Sequence, residues 1–242
     1  MSDWTPLLWI LLLSPLFIIA HFTSKKTNKK YLLIFILYFL TDYFLLQIGQ
    51  KVFKPHFLDF NWFGKLLSLA LSLGFILYHS KEIRKDIGFT SEVLNKTLKW
   101  GIIIFLCFLI FEFAFKMIIF PKGAKFDLET FLYQATMPGI TEELVFRGIY
   151  FWLLSKSFVS SIVIKGVSFG WGFVIVTFLF AMIHGVYWTT TFEIKIDFFT
   201  IIYLTLITSL SLGILRKFSG NLIFPILGHN MVNVMNATIR IL

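Results

Sequence analysis

Along this chain apolar positions gather into long runs separated by short charged stretches. A bilayer's hydrocarbon core needs about 20 mostly apolar residues per crossing helix, which sets the window to look for. Such windows lie at Trp4 to Phe22, Tyr31 to Gly49, Trp62 to His79, Leu98 to Phe120, Phe131 to Leu154, Trp171 to Thr190, Phe198 to Leu215 and Asn221 to Leu242. They predict an all-α, polytopic membrane protein of about eight transmembrane helices. The third window is the least regular, with Lys65 near its start and Asp59 just before it, both placed to snorkel towards the interface. Omitting it would leave seven.

The polar connections carry signals of their own. Between Ser80 and Thr97 charges alternate with Ile83, Ile87, Phe89, Val93 and Leu94 at roughly helical spacing, which predicts a segment lying along the cytoplasmic interface. The stretch PKGAKFDLET places Pro121 and Gly123 ahead of Asp127 and Glu129, the pattern of a turn entering a helix N-terminus. The first window has Asp3 and no basic residue before it, and no small-residue cleavage pattern after it, so it reads as a retained helix rather than a secretory signal. No internal repeat or long polar linker divides the chain, which reads as one transmembrane domain over 1–242 with its chemistry in about 131–242.

Composition agrees with a membrane setting. The 242 residues are 57% hydrophobic and 14% charged, which excludes an ordinary soluble domain. A net charge of +9 would suggest nucleic acid in a soluble protein, yet here the basic residues sit mainly in loops. With an external N-terminus the cytoplasmic loops hold thirteen of them, from Lys25 to Lys217, against Lys51, Lys54, Lys122, Lys125, Lys195 and Arg240 outside. That bias predicts both termini outside and no nucleic-acid partner. The single Cys107 excludes an internal disulfide, and the aromatic residues are assigned to lipid contact and interfacial belts.

Charges inside the windows are the exception that calls for chemistry. A charged side chain at the centre of a membrane helix costs roughly 2.5 to 3.5 kcal/mol on insertion scales, so it normally faces a bundle interior and a partner. In TEELVFRG, Glu143 and Arg147 are four apart and can pair on one helix face. Glu142 is rotated about 100° away and must find its partner on another helix or in water. Pro138 and Gly139 just before it can kink the helix and open a polar cavity. His184 lies inside the sixth window, while His229 and Asn233 share a face of the last helix. Each alone is compatible with a packing role. Together a carboxylate, two imidazoles and an amide are what the activation of water and the stabilisation of an oxyanion require, as in peptide-bond hydrolysis. Outside this set, Glu112 and Lys116 are four apart and read as a structural pair, and Asp42 has no local partner.

These residues resemble three motifs of the CAAX protease and bacteriocin-processing family of intramembrane endopeptidases, also called the Abi or type II CAAX protease family. Its E-E-x-x-x-R corresponds to Glu142, Glu143 and Arg147, its F-x-x-x-H to Phe180 and His184, and its H-x-x-x-N/D to His229 and Asn233. Three short patterns in the family's order are far more specific than any one. The resemblance implies about eight spans around a conical cavity, with Glu142 and His184 activating water and His229 and Asn233 stabilising the oxyanion. It further implies a membrane-associated or lipid-modified peptide substrate, an integral multi-pass location, and the plasma membrane in a bacterium. A zinc ion held by Glu142, His184 and His229 is one form of the chemistry, and a metal-free glutamate-activated water is the other. The sequence lacks H-E-x-x-H, which favours the second. A non-catalytic immunity or scaffold protein of the same fold, and a proton-coupled transporter, are the competing functions.

Overall fold

The computed structural model describes residues 2–53, 55–159 and 161–242, so that Lys54, counted above among the outer charges, lies outside the described residues. It is mostly helical. The helices are α1 (Thr5–Thr23), α2 (Lys29–Lys51), α3 (Trp62–Tyr78), α4 (Lys81–Ile87), α5 (Asn95–Ile119), α6 (Leu128–Glu143), α7 (Phe151–Ser157), α8 (Trp171–Gly185), α9 (Phe198–Tyr203), α10 (Leu210–Ser219) and α11 (Ile223–Ile241). Two π-helical stretches, Leu144–Tyr150 and Leu204–Ser209, join α6 to α7 and α9 to α10. Every predicted window contains helix. Among the described residues four helices are long and apolar enough to cross a membrane: α1, α2, α5 and the continuous Phe198–Ser219. α3 and α8 are shorter, at 17 and 15 residues. Large apolar side chains on the outer surface, among them Leu11, Leu33, Ile110 and Ile118, are those of an integral membrane protein.

Helix ends follow local chemistry. Asn28, Asn61, Asp127 and Asp197 each accept a backbone N–H of the first turn, at α2, α3, α6 and α9 respectively. At Asp127 the hydroxyl and amide of Thr130 hold the carboxyl below its ordinary pKa. The PKGAKFDLET stretch is thus a turn and N-cap, as its residues suggest. The Ser80 to Thr97 segment differs from expectation: it holds the seven residues of α4, which Gly88 ends in the left-handed region at φ 93°, and the first three residues of α5. Ile87 is fully buried rather than interfacial.

The sixth window also ends early. α8 stops at Gly185 because Val186–Trp188 (β5) pairs antiparallel with Ile194–Ile196 (β6). Two further short pairings are Lys26–Thr27 (β1) with Phe158–Val159 (β2) and Ile162–Ile164 (β3) with Val167–Phe169 (β4), the latter closed by Lys165 and Gly166, both at positive φ.

The main core gathers apolar residues of α1, α2, the α6–α7 unit and α8, including Leu13, Phe35, Ile149, Leu153, Ile175 and Leu179. α6 and α11 cross it in close contact at Gly139. A Cβ built there would lie 2.2 Å from Asn230 Oδ1 and 2.7 Å from the Ile226 carbonyl. Only glycine fits. Its amide instead donates to Asn230 Oδ1 at 2.9 Å, which fixes the register that brings Glu142 and Glu143 opposite His229.

Candidate active site

Three elements supply the polar centre. The end of α6 carries Glu142 and Glu143, the π-helical stretch carries Arg147, and α11 carries His229. Glu143 and Arg147 are both fully buried, and their ion pair spans 3.2 Å between Oε1 and Nη1. Arg147 also donates through Nη2 to Ser209 Oγ at 3.1 Å. Ser209 closes the second π-helical stretch, so two departures from α-helical register meet at one guanidinium. The expected Glu143–Arg147 pair is present, and it is not self-contained: His229 Nδ1 lies 2.8 Å from the same Glu143 oxygen.

Glu142 finds its partner across the bundle. Lys65 Nζ of α3 donates to Glu142 Oε1 at 2.6 Å, with the two side chains 14% and 17% exposed. Lys65 therefore does not snorkel to the interface as its sequence position suggested. It points inward because a carboxylate there offsets part of the desolvation of both groups. The other carboxylate oxygen, Oε2, lies 4.0 Å from His229 Nε2, a separation that one water molecule can bridge.

Phe180 links the two histidines. Its carbonyl meets His184 Nδ1 at 2.6 Å, and its ring lies 4.8 Å from the His184 ring, 6.0 Å from the His229 ring and 4.2 Å from the Arg147 guanidinium. A carbonyl accepts only, so Nδ1 of His184 carries its proton and Nε2 is left for other partners. His184 is exposed at the C-terminal end of α8, not at mid-helix. Trp9 pins the chain just beyond it by donating to the Val186 carbonyl at 2.6 Å.

Asn233 stands apart. It lines a cavity of about 330 Å3 with Gln134, Asn236 and Arg240, whereas Glu142 lines another of about 170 Å3. One turn of α11 separates Asn233 from His229. In the Glu142 cavity the other polar groups are Asp42, Gln47, Lys65, Ser68 and Thr141, between walls that include Trp9, Phe39, Tyr43, Phe146 and Tyr150. Asp42, which has no partner nearby in sequence, accepts from Ser68 Oγ of α3 at 2.5 Å and lines this cavity.

Metal ligation by Glu142, His184 and His229 does not fit this arrangement. Among the described residues no three of His, Cys, Asp and Glu are placed to hold a metal ion. Lys65 occupies one oxygen of Glu142. The residues that sequence reasoning missed are Lys65 and Ser209. A lysine within an apolar window was the signal for the first.

Fold and site together define a helical membrane protein with a buried acid–base cluster at the junction of α6 and α11. Residues 124–235 match the family model described as type II CAAX prenyl endopeptidase Rce1-like. The matched stretch is 112 of the 242 residues and contains all three motifs, so over a little under half its length the chain is similar to this family of endopeptidases. No curated protein and no solved structure matches the chain.

Proposed function

We propose that the chain is an intramembrane endopeptidase acting on a membrane-associated or lipid-modified peptide, with Glu142 as the general base. The observation that carries this reading is the pairing of Glu142 with Lys65 on one oxygen, while the other faces His229 Nε2 across 4.0 Å. Water bound in that gap would give its proton to Glu142 as its oxygen attacks the carbonyl carbon of the scissile bond, and Glu142 would return the proton to the departing amine. His184, with Nε2 unengaged by Phe180, is the second group assigned to that water. His229 in its doubly protonated form donates through Nε2 to the oxyanion, its Nδ1 proton being held by Glu143. Asn233 is the second oxyanion donor by motif, and it lines a cavity other than that of Glu142.

In this reading α1 to α3 are not a separate domain, since α3 contributes Lys65, and the helices of all eight apolar windows span the membrane, in a bacterium the plasma membrane, with both termini outside. The single experiment is proteomics of membranes from cells carrying wild type or Glu142→Ala. Peptides that disappear only in wild type support the endopeptidase. Survival of a cellular phenotype in the triple variant Glu142→Ala, His184→Ala, His229→Ala, with no peptide changed, points to a binding protein instead.

A further inference from the structure

Lys65 lies outside the segment matched to the family, on a helix that no motif assigns. Its placement is nevertheless closely determined. Glu129, in the first turn of α6, accepts from the amides of Asp59 and Phe60 and from Trp62 Nε1 at 3.0 to 3.1 Å, which anchors the start of α3 to the start of α6. Further along α6, Lys65 meets Glu142 at 2.6 Å. Tyr133 packs between these two ties, its ring 4.5 Å from that of Phe60 and 5.1 Å from that of Trp62.

We propose that Lys65 is a positioning residue that holds Glu142 as an oriented carboxylate, occupying Oε1 so that Oε2 is presented to His229 and the space between them. A carboxylate can be held ionised among apolar walls only by a nearby cation or several donors. Arg147 is already engaged by Glu143 and Ser209, which leaves Lys65 as the cation within hydrogen-bond reach of Glu142 among the described residues. Asp42 and Ser68 bond to each other in the same cavity, so Asp42 does not occupy the ammonium in place of Glu142. The proposal gives the N-terminal half of the chain a defined part in the chemistry, and its kinetic side rests on the endopeptidase reading above.

The test uses full-length protein in proteoliposomes, as wild type, Lys65→Met and Lys65→Arg. Dicyclohexylcarbodiimide modifies protonated carboxyl groups in apolar surroundings and requires no substrate. Glu142 should be labelled about tenfold or more faster in Lys65→Met than in wild type, with Lys65→Arg restoring resistance, as read by mass spectrometry of the modified peptide. On a peptide identified as a substrate, Lys65→Met should lower kcat about 100-fold while KM stays within about threefold, and Lys65→Arg should recover at least about a tenth of the rate. Equal labelling in wild type and Lys65→Met overturns the proposal, as does an unchanged kcat. If wild type cleaves nothing, the endopeptidase reading fails, and the labelling pattern still decides whether Lys65 governs the Glu142 carboxylate.

Discussion

His229 Nδ1 lies 2.8 Å from Glu143 Oε1, the oxygen that also pairs with Arg147. One buried carboxylate therefore neutralises a guanidinium and orients an imidazole. Removing it should do two kinds of damage. Glu143→Ala leaves Arg147 buried without its counter-charge, and breaking a buried pair in this way costs about 3 to 5 kcal/mol. Glu143→Gln keeps an acceptor of similar shape and should be less destabilising, while still freeing His229 to turn. Thermal unfolding in detergent should rank wild type above Glu143→Gln above Glu143→Ala. Cleavage should be strongly reduced in both. Glu143→Ala as stable as wild type would overturn the account of this pair.

The close crossing of α6 and α11 gives a prediction with an internal control. At Gly139 a methyl group meets Asn230 Oδ1 at 2.2 Å, so Gly139→Ala should force the helices apart. Overpacking of this kind costs about 1 to 3 kcal/mol, and a displacement of about 1 Å between Glu142 and His229 can lower a rate about 100-fold. Asn230→Ala removes the obstructing amide and should partly rescue Gly139→Ala in both stability and cleavage. The carbonyl of Ile226, 2.7 Å from the same point, keeps the rescue incomplete. Additive losses in the double variant would contradict this geometry.

A second buried pair separates stability from chemistry. Lys116 bonds Glu112 within α5 and donates to Asn236 Oδ1 of α11 at 2.7 Å. Both charges are nearly inaccessible, and neither lines the Glu142 cavity. Lys116→Met should destabilise by about 3 to 5 kcal/mol by stranding Glu112, whereas Lys116→Met combined with Glu112→Leu should recover most of the loss. Cleavage per folded molecule should be close to wild type in the double variant. A loss of activity there at full stability would move this pair into the functional machinery.

These residues also show which features the sequence could carry. Glu112 with Lys116 and Glu143 with Arg147 were legible because a four-residue spacing is a local property of any helix. Helices were legible as apolar length. Lys65 with Glu142 was not, since 77 positions separate them and only the packing of α3 on α6 brings them together. The π-helical stretches were equally hidden. Their hydrogen-bond register answers a tertiary demand, the meeting of Arg147 with Ser209, rather than a residue preference. The end of α8 at Gly185 was missed because β5 competes with continued helix through a partner strand, Ile194–Ile196, further along the chain, a contest that hydropathy does not register. Asn233 shares a helix face with His229, as its spacing indicated, yet it lines a cavity that Glu142 does not.

The tie between α3 and α6 at Glu129 should be pH-dependent in a defined direction. The amides of Asp59 and Phe60, followed by Trp62 Nε1, hold the Glu129 carboxyl below its ordinary pKa. A carboxyl depressed on folding stabilises the native state above its unfolded pKa and loses that contribution as pH falls through the lower folded value. The tie should therefore be intact from about pH 5 upwards and weaken only below about pH 4, the ordinary carboxylate range. Glu129→Gln keeps one acceptor oxygen and loses the charge, so the difference in unfolding temperature between wild type and variant should be constant at neutral pH and shrink on acidification. A difference that grows as pH falls would reverse the sign. The same titration should leave the rate of cleavage per folded molecule less affected than Lys65→Met does, because Glu129 fixes the start of α3 while Lys65 itself reaches Glu142.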